Sequence, residues 1–378
     1  MALDRFEVRI SIQKVLLGLV LVIVPLSIIG LYLTQRSDAA LDDSIGNHLK
    51  TIASMYSNDL SHLLNERIAA AKLIAADPGI VETVSQANRS YQKQSEAAIA
   101  DKLDKADKQW STPEAAPMVK ALLSSKASET LRHYHEMDPT MLRLTVTDEH
   151  GVPVAATAKP GRYRMSSIDS WQAAYSTGKG AVGVGNILFD EPTKSYFVDV
   201  TVPVTEPGTS QFAGVTLAAI NISPILANFQ QDTIGNGIKA LLVNEDGTVV
   251  SGPKTDVFSH ARSEEFAAVR DSLGTLEGRQ TGYVKAELRN GRYIIGFSDT
   301  GLQKTFRNLN WTVLMTQDER VATAPIRVLG QFATLMVVLA LFMVTLLAVY
   351  YALHRKQHFA DIEDVSPAHH PVTPPHAV

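Results

Sequence analysis

Hydrophobic and polar positions give this chain three textures. Near its two ends run apolar stretches without a single charge, Val15 to Gln35 and Val328 to His354. Each exceeds the roughly 20 residues a helix needs to cross about 30 Å of hydrocarbon, so both predict transmembrane helices, bounded at 15–35 and 327–354. Just after the first stretch, Leu41, Ile45, Leu49, Ile52, Met55, Leu60, Leu63, Leu64 and Ile68 recur at steps of mostly three and four. That is helical periodicity, continuous with the membrane span, and Asp77-Pro78-Gly79 should end it. Ser85 to Trp110 is polar and reads as more helix. Ser111-Thr112-Pro113-Glu114 offers a capping box with Pro in the first turn, opening a helix that should run to Met137. Residues 36–137 are thus expected to form a helical stalk.

The texture changes at Asp138-Pro139. Leu142, Leu144 and Val146 alternate with polar neighbours, and Asp148-Glu149-His150-Gly151 turns the chain into Val152, Val154 and Ala156, a hairpin pattern. A short helix from Trp171 to Tyr175, ending at Gly178, precedes three further strands, at 187–189, 196–204 and 212–222. A second block repeats the plan: Ala240 to Val243, the Asn244-Glu245-Asp246-Gly247 turn and Thr248 to Val250 parallel the first hairpin about a hundred residues downstream. A helix at 263–273 follows. Two strands, 283–289 and 292–297, flank Asn290-Gly291, a strong hairpin signal. A last strand through Trp311, Val313 and Met315 leads by Arg320 to Ile326 into the second apolar stretch. Two modules are expected, at 138–235 and 236–326.

Charge sets orientation. Arg5, Arg9 and Lys14 precede the first apolar stretch and Arg355 and Lys356 follow the second. Cations collect on the cytoplasmic side, so residues 1–14 and 355–378 should be cytoplasmic and the body between the spans extracytoplasmic, in a two-pass protein of a bacterial inner membrane. A cleaved signal peptide is the competing reading, given Ala39 and Ala40, but its apolar core would be shorter. Among 378 residues there are no cysteines, which excludes disulfides, thiolate metal sites and Cys nucleophiles. A net charge of −4 without a basic cluster argues against nucleic acid.

Enzyme motifs fail on context. Gly178-Lys179-Gly180-Ala181-Val182-Gly183 spells a dinucleotide fingerprint, but it leaves a helix and enters a strand, the reverse of the order that offers helix N–H groups to pyrophosphate. His133-Tyr134-His135 and the tail histidines His369, His370 and His376 lack a third ligand at metal spacing. No nucleophile elbow, His-Glu-x-x-His or carboxylate pair is present, and no cofactor is expected.

The order of these pieces, from the membrane-continuous helix through Asp148 to Gly151, Trp171-Gln172-Ala173-Ala174, Gly178-Lys179-Gly180, Tyr196 to Val204, Asn310 to Leu314 and Ala324-Pro325-Ile326, resembles the double Cache domain. This is the extracytoplasmic sensing module of many bacterial chemoreceptors, histidine kinases and cyclic-dinucleotide enzymes. The resemblance covers about residues 36 to 326. It implies an α+β fold with a long N-terminal helix carrying two PAS-like α/β modules, and a small-molecule pocket in the membrane-distal one. In amino-acid-sensing members an Arg, a Trp, a Tyr and an Asp grip the ligand; the matching positions here are Asp169, Trp171, Gln172 and Asn221. Only the Trp fits, and Asp169 would repel a carboxylate, so an α-amino acid is disfavoured.

Candidate ligand-binding residues are Trp171, Tyr163, Arg164, Tyr196, Asp199 and Asn221. Tyr196 and Asp199 fall on opposite faces of one strand, so at most one faces a given pocket, and Asp199 buried beside Arg164 would be informative. A receptor of this kind usually continues into an output domain. The tail from Asp361 to Val378, Pro- and His-rich, is expected to be disordered, so any signal should leave through a separate membrane or cytoplasmic partner. Three readings result: a membrane-anchored small-molecule sensor or input subunit, active alone or as a homodimer; a non-catalytic scaffold subunit of a larger membrane complex that has lost its ligand; and an extracytoplasmic enzyme, which lacks any catalytic constellation.

Overall fold

The computed structural model describes residues 12–363 except 207, 210, 274–279 and 307, with parts of the side chains of the two terminal helices outside that description. Arg5, Arg9 and most of the polar tail, residues 364–378, lie outside the described residues; the helix that enters the tail runs to Glu363, past the Asp361 boundary expected for disorder. The chain divides into two compact units, residues 45–321 and a second made of 1–44 with 322–378. The second unit contains the N-terminal part of α1 (Ile12–Ala75) and most of α9 (Glu319–Glu363), which carry the two apolar stretches. Among the described residues no helix is long and apolar enough to cross a membrane.

The body, residues 45–321, is built on α1. Leu49, Ala53, Leu60, Leu64, Ile68, Ala71 and Ile74 are its buried stripe, at the spacing the sequence pattern predicts. Asp77-Pro78-Gly79 ends that helix and starts another. The Asp77 carboxylate accepts hydrogen bonds from the Gly79 and Ile80 N–H groups, and Pro78 supplies a preset φ, so α2 (Pro78–Arg89) begins at once. α3 (Glu96–Trp110) follows.

The expected helix from Ser111 to Met137 is broken. Thr112 makes no capping bond and Pro113 opens a single 3₁₀ turn instead. The rest divides into α4 (Ala116–Leu123) and α5 (Lys126–Met137). At the break, Ser125 accepts the Ser128 N–H and the Ser128 hydroxyl donates to the Leu122 carbonyl, side-chain bonds that compete with a continuous helix.

Two five-stranded antiparallel sheets follow. The first contains β1 (Met141–Thr147), β2 (Pro153–Ala156), β3 (Gly183–Asp190), β4 (Ser195–Thr205) and β5 (Phe212–Asn221), in the order β2-β1-β5-β4-β3. The second contains β6 (Lys239–Val243), β7 (Val249–Ser251), β8 (Thr281–Leu288), β9 (Gly291–Asp299) and β10 (Thr312–Asp318), in the order β7-β6-β10-β9-β8. The two orders are the same. Their first hairpins also use the same device: Asp148 Oδ1 accepts the His150 and Val152 N–H groups, as Asp246 Oδ1 accepts that of Thr248. The β8–β9 turn is one residue earlier than Asn290-Gly291 suggests, because Leu288 pairs with Gly291 and leaves Arg289-Asn290 as the loop.

Helices α6 (Asp169–Tyr175), α7 (Ser223–Gln230) and α8 (Glu264–Leu273) connect the strands. One buried cluster runs from α1 into both sheets, through Leu144, Val198 and Ile220 of the first and Leu242, Ile294 and Val313 of the second. Toward its N-terminus α1 meets the second sheet: Tyr283 covers Gly46, and the Ser57 and Ser61 hydroxyls donate to the Asp299 and Thr300 carbonyls. Toward its C-terminus Arg67 pairs with Asp138 at the entry to β1.

The tightest approach is at Gly296, where a Cβ would lie 2.4 Å from the Leu49 carbonyl carbon and 2.5 Å from the Lys50 nitrogen. Backbone lies against backbone there, so Gly296→Val must force α1 off β9. We expect a loss of about 2–3 kcal/mol and a lower thermal midpoint. Gly161→Val, where nothing lies within 4 Å, should leave the midpoint within a degree or so.

Candidate functional site

Helix α6 lies across the face of the first sheet that α1 does not cover. Trp171 and Ala174 pack there on Val215 and Leu217 of β5. The Trp171 indole N–H donates to Thr147 Oγ1 at 2.9 Å, and its ring stacks on Tyr175 and meets the edge of Phe212. Thr201 of β4 donates to the Ser170 carbonyl at 2.9 Å, fixing the first turn of the helix on the sheet.

Strand parity puts Arg143, Ala219 and Asp199 in one row on this face. Arg143 pairs with Ala219 across β1 and β5, and Ala219 pairs with Asp199 across β5 and β4. Two strand spacings place the outer backbones about 9–10 Å apart, with only a methyl between them. Beyond Asp199 the ladder slips. Val200 pairs with Val184 and Val198 with Ile187, so Gly185 and Asn186 together oppose Asp199 in a β-bulge.

The charges in this row are unevenly satisfied. Arg143 forms an ion pair with the buried Asp190 and lies over the Phe197 ring, 5.0 Å from its centre. Burial works against the Asp190 carboxylate, but hydrogen bonds from Thr193 and Arg143 overcome it and hold its pKa below the ordinary value. Asp199 has no such partner: no hydrogen bond among the described residues reaches its carboxylate. Burial pushes its pKa up to about 6, only partly offset by the charge of Arg143.

Across the bulge, Ser170 is 7% exposed, and its hydroxyl has no hydrogen-bond partner. A Cβ on Gly185 would lie 3.5 Å from the Asp199 Cβ and 3.6 Å from the Ser170 Cβ. The unpartnered Ser170 hydroxyl and the half-buried Asp199 carboxylate therefore flank a position that has no side chain of its own. A buried hydroxyl is rarely left so, because an unmade bond costs about 1–3 kcal/mol.

The six residues singled out from the sequence do not converge. Asp199 and Asn221 share the α6-facing side of the sheet, but Asn221 Oδ1 is used to accept the Ser223 N–H. Trp171 is a buried, hydrogen-bonded wall of that side. Tyr163 and Arg164 lie elsewhere: Tyr163 packs on Trp110, Arg164 pairs with Asp104 at 2.9 Å, and both line an open groove of about 570 Å³ with Asp107. The charged neighbour of Asp199 is Arg143, not Arg164. Tyr196 is on the opposite face of β4, packed on the α1 side and touching Phe189 and Phe258.

Of the positions matched to amino-acid sensors, Asp169 and Gln172 are exposed, and the Gln172 amide donates to the Ser166 carbonyl. Sequence reasoning passed over Arg143, Ser170, Gly185 and Asp190. Arg143 was visible as a charge between Leu142 and Leu144, but the bulge that sets Ser170 and Gly185 against Asp199 has no signature in the sequence.

Two other grooves are present. One of about 420 Å³ lies between the sheets, bordered by Asn186, Asp246, Phe258 and His260; one of about 760 Å³ runs beside α1 and β4. Among the described residues no three His, Asp or Glu side chains are grouped to hold a metal.

The Asp199 shift has a definite sign. Its folded pKa is above its unfolded one, so it favours the folded state only at acid pH and costs stability as pH rises from about 4 to 6. Asp199→Asn should therefore stabilise the protein by about 1–2 kcal/mol at pH 7 and by nothing near pH 3, in thermal melts across that range.

The chain resembles several solved sensory domains in fold. The ligand-binding domain of the Pseudomonas aeruginosa amino-acid chemoreceptor PctC, in complex with GABA, is 14% identical with a TM-score of 0.45, over 72% of this chain and all of that one. The sensory domain of the Campylobacter jejuni chemoreceptor Tlp3, with isoleucine bound, is 11% identical with a TM-score of 0.49, over 76% of this chain and 97% of that one. The extracellular domain of the histidine kinase mmHK1S-Z2 is 14% identical, TM-score 0.46, over 72% and 96%. No curated protein matches significantly. A Cache domain model matches residues 37–326, more than three quarters of the sequence and both sheets with their shared helix; the chain belongs to the double Cache family.

Proposed function

We propose that this protein is a sensory input subunit that binds a small molecule on the α6-covered face of its first Cache module and passes the change to a partner protein. The observation that carries this reading is the buried, unpartnered Ser170 hydroxyl and the half-buried Asp199 carboxylate, to which no described group donates a hydrogen bond, on either side of Gly185. A ligand that bonded to both would satisfy the buried Ser170 hydroxyl and give the carboxylate a partner, which is a source of affinity. Trp171 and Asn221 lie on the same face of the sheet as Asp199, whereas Tyr163 and Arg164 lie elsewhere and Tyr196 is on the opposite face.

The body is read as extracytoplasmic, held by helices at both ends in a bacterial cytoplasmic membrane, with the 138–235 module distal and the 236–326 module proximal. Support comes from the charge-free stretches within α1 and α9 and from their exposed apolar side chains, such as Leu17, Leu21, Leu26, Met336, Leu339 and Phe342. Because the chain has no cysteine, a single one at the exposed Ser124 tests this cleanly. An impermeant maleimide should label Ser124→Cys on intact spheroplasts; labelling only after lysis would sink the topology.

Sensing is tested by thermal unfolding of the full chain in nanodiscs against a library of small solutes. A binding solute should raise the midpoint by mass action, and Asp199→Asn and Ser170→Ala should each remove that rise. A rise that survives both substitutions would place the ligand elsewhere. A scaffold role is the second reading, favoured by the exposed Leu188 and Phe189 on the edge strand β3 and by Phe258 beside them. It predicts a stable heterologous complex from native membranes that dissociates in Phe189→Ser, with no solute moving the midpoint.

A further inference from the structure

We propose that the groove of about 420 Å³ between the two sheets is a second binding site, for a neutral, hydroxyl-rich small molecule of the saccharide or polyol class, held by amide side chains and by the indole N–H of Trp311. Its volume is within the roughly 300–1,000 Å³ of small-molecule sites. Asn186 and Ile187 of β3 form one wall, and residues of the second module form the rest. Ile187 packs on the α1 side of the first sheet, opposite α6, so the groove is separate from the face that holds Asp199.

Trp311 is the residue that points to a ligand. Its side chain lines the groove and is 3% exposed. The other two tryptophans have partners: Trp110 donates its indole N–H to the Pro160 carbonyl at 2.8 Å, and Trp171 to Thr147 Oγ1 at 2.9 Å. No described group accepts the N–H of Trp311, and that nitrogen is not among the unbonded polar atoms sealed inside the protein, so it opens on the groove. An indole N–H only donates, and a buried one usually finds an acceptor. Around it the carboxamides of Asn186, Asn244 and Asn310 and the imidazole of His260 are likewise engaged by no described group.

Charge selects the class of ligand. Among the described residues no Lys or Arg lines the groove, so an anion would enter without a counter-charge. Asp246 already accepts the Thr248 N–H at 3.0 Å and the Thr248 hydroxyl at 2.7 Å, and both it and Glu245 are exposed, where a carboxylate attracts a cation weakly. A purely apolar ligand would leave the indole and the amides unbonded. A hydroxyl both donates and accepts, as a carboxamide does, and its oxygen supplies the acceptor that Trp311 lacks. Apolar surface for the C–H face of a sugar is present in Phe258, 46% exposed, and in Ile187 and Val257. A ligand bonded to both Asn186 and Trp311 would tie β3 of the first module to the start of β10.

The test is calorimetric titration of the full chain in nanodiscs with glucose, galactose, maltose and sorbitol, with glucuronate and glucosamine as charged counterparts and cyclohexanol as the apolar one. At least one neutral sugar or polyol should bind, and the charged and apolar compounds about tenfold or more weakly. Trp311→Phe, which removes the N–H and keeps an aromatic ring, should weaken binding about three- to tenfold, and so should Asn186→Ala on the opposite wall. Asn186 is exposed, so its substitution reads binding alone even where Trp311→Phe lowers the melting midpoint. Failure of every neutral compound to bind, or binding that either substitution leaves unchanged, would overturn the site. Tighter binding of glucuronate, glucosamine or cyclohexanol would overturn the neutral, hydroxyl-rich class.

Discussion

The contact between α1 and the backbone of β9 is the constraint on which the rest of the body depends. Only a residue without a side chain permits it, and Gly296 is that residue. With the helix seated so closely, one buried stripe serves two sheets, and its cluster passes from Leu144 and Ile220 of the first to Leu242 and Ile294 of the second without a break. Neither sheet has a private core on that side. The outer faces are thereby freed for separate purposes: α8 covers the second with Phe266 and Val269, and α6 covers the first only in part.

Partial cover is what makes the first module chemically distinctive. Where Trp171 and Ala174 lie, apolar contact with Val215 and Leu217 and one indole hydrogen bond seat the helix on the sheet. One row further along, the same face holds Arg143 and Asp199, with Asp190 beyond them opposite Ser195, three ionised side chains where an apolar layer would ordinarily stand. Two of them satisfy each other. The third, the half-buried Asp199, accepts no hydrogen bond among the described residues, and burial pushes its pKa up to about 6.

Much of the architecture was legible in the sequence, because burial imposes periods that sequence records directly. The stripe from Leu41 to Ile68 gave the long helix, alternation around Leu144 gave a central strand, and the paired turns at Asp148 and Asp246 announced two blocks whose strand orders are indeed the same. What escaped was governed by competition between neighbouring polar groups. Ser125 and Ser128 divert backbone bonds and split a helix that periodicity alone would continue, and Asp77 converts a stop into a start. The site escaped for a different reason. Trp171, expected from the sequence to meet a ligand, is packed on the sheet, while Ser170 and Asp199 become neighbours only through a two-against-one slip between β3 and β4.

That slip has a mechanical side. Asn186, the second bulged residue, borders the groove shared with the second sheet, and the Val184 carbonyl just before the bulge accepts a hydrogen bond from Asn308 at 2.7 Å, in the loop that feeds β10. Strand β10 runs straight into α9. A few residues thus join the bulge to the first turn of α9 by a route independent of α1, so a shift in the bulge reaches β10 through one side-chain hydrogen bond.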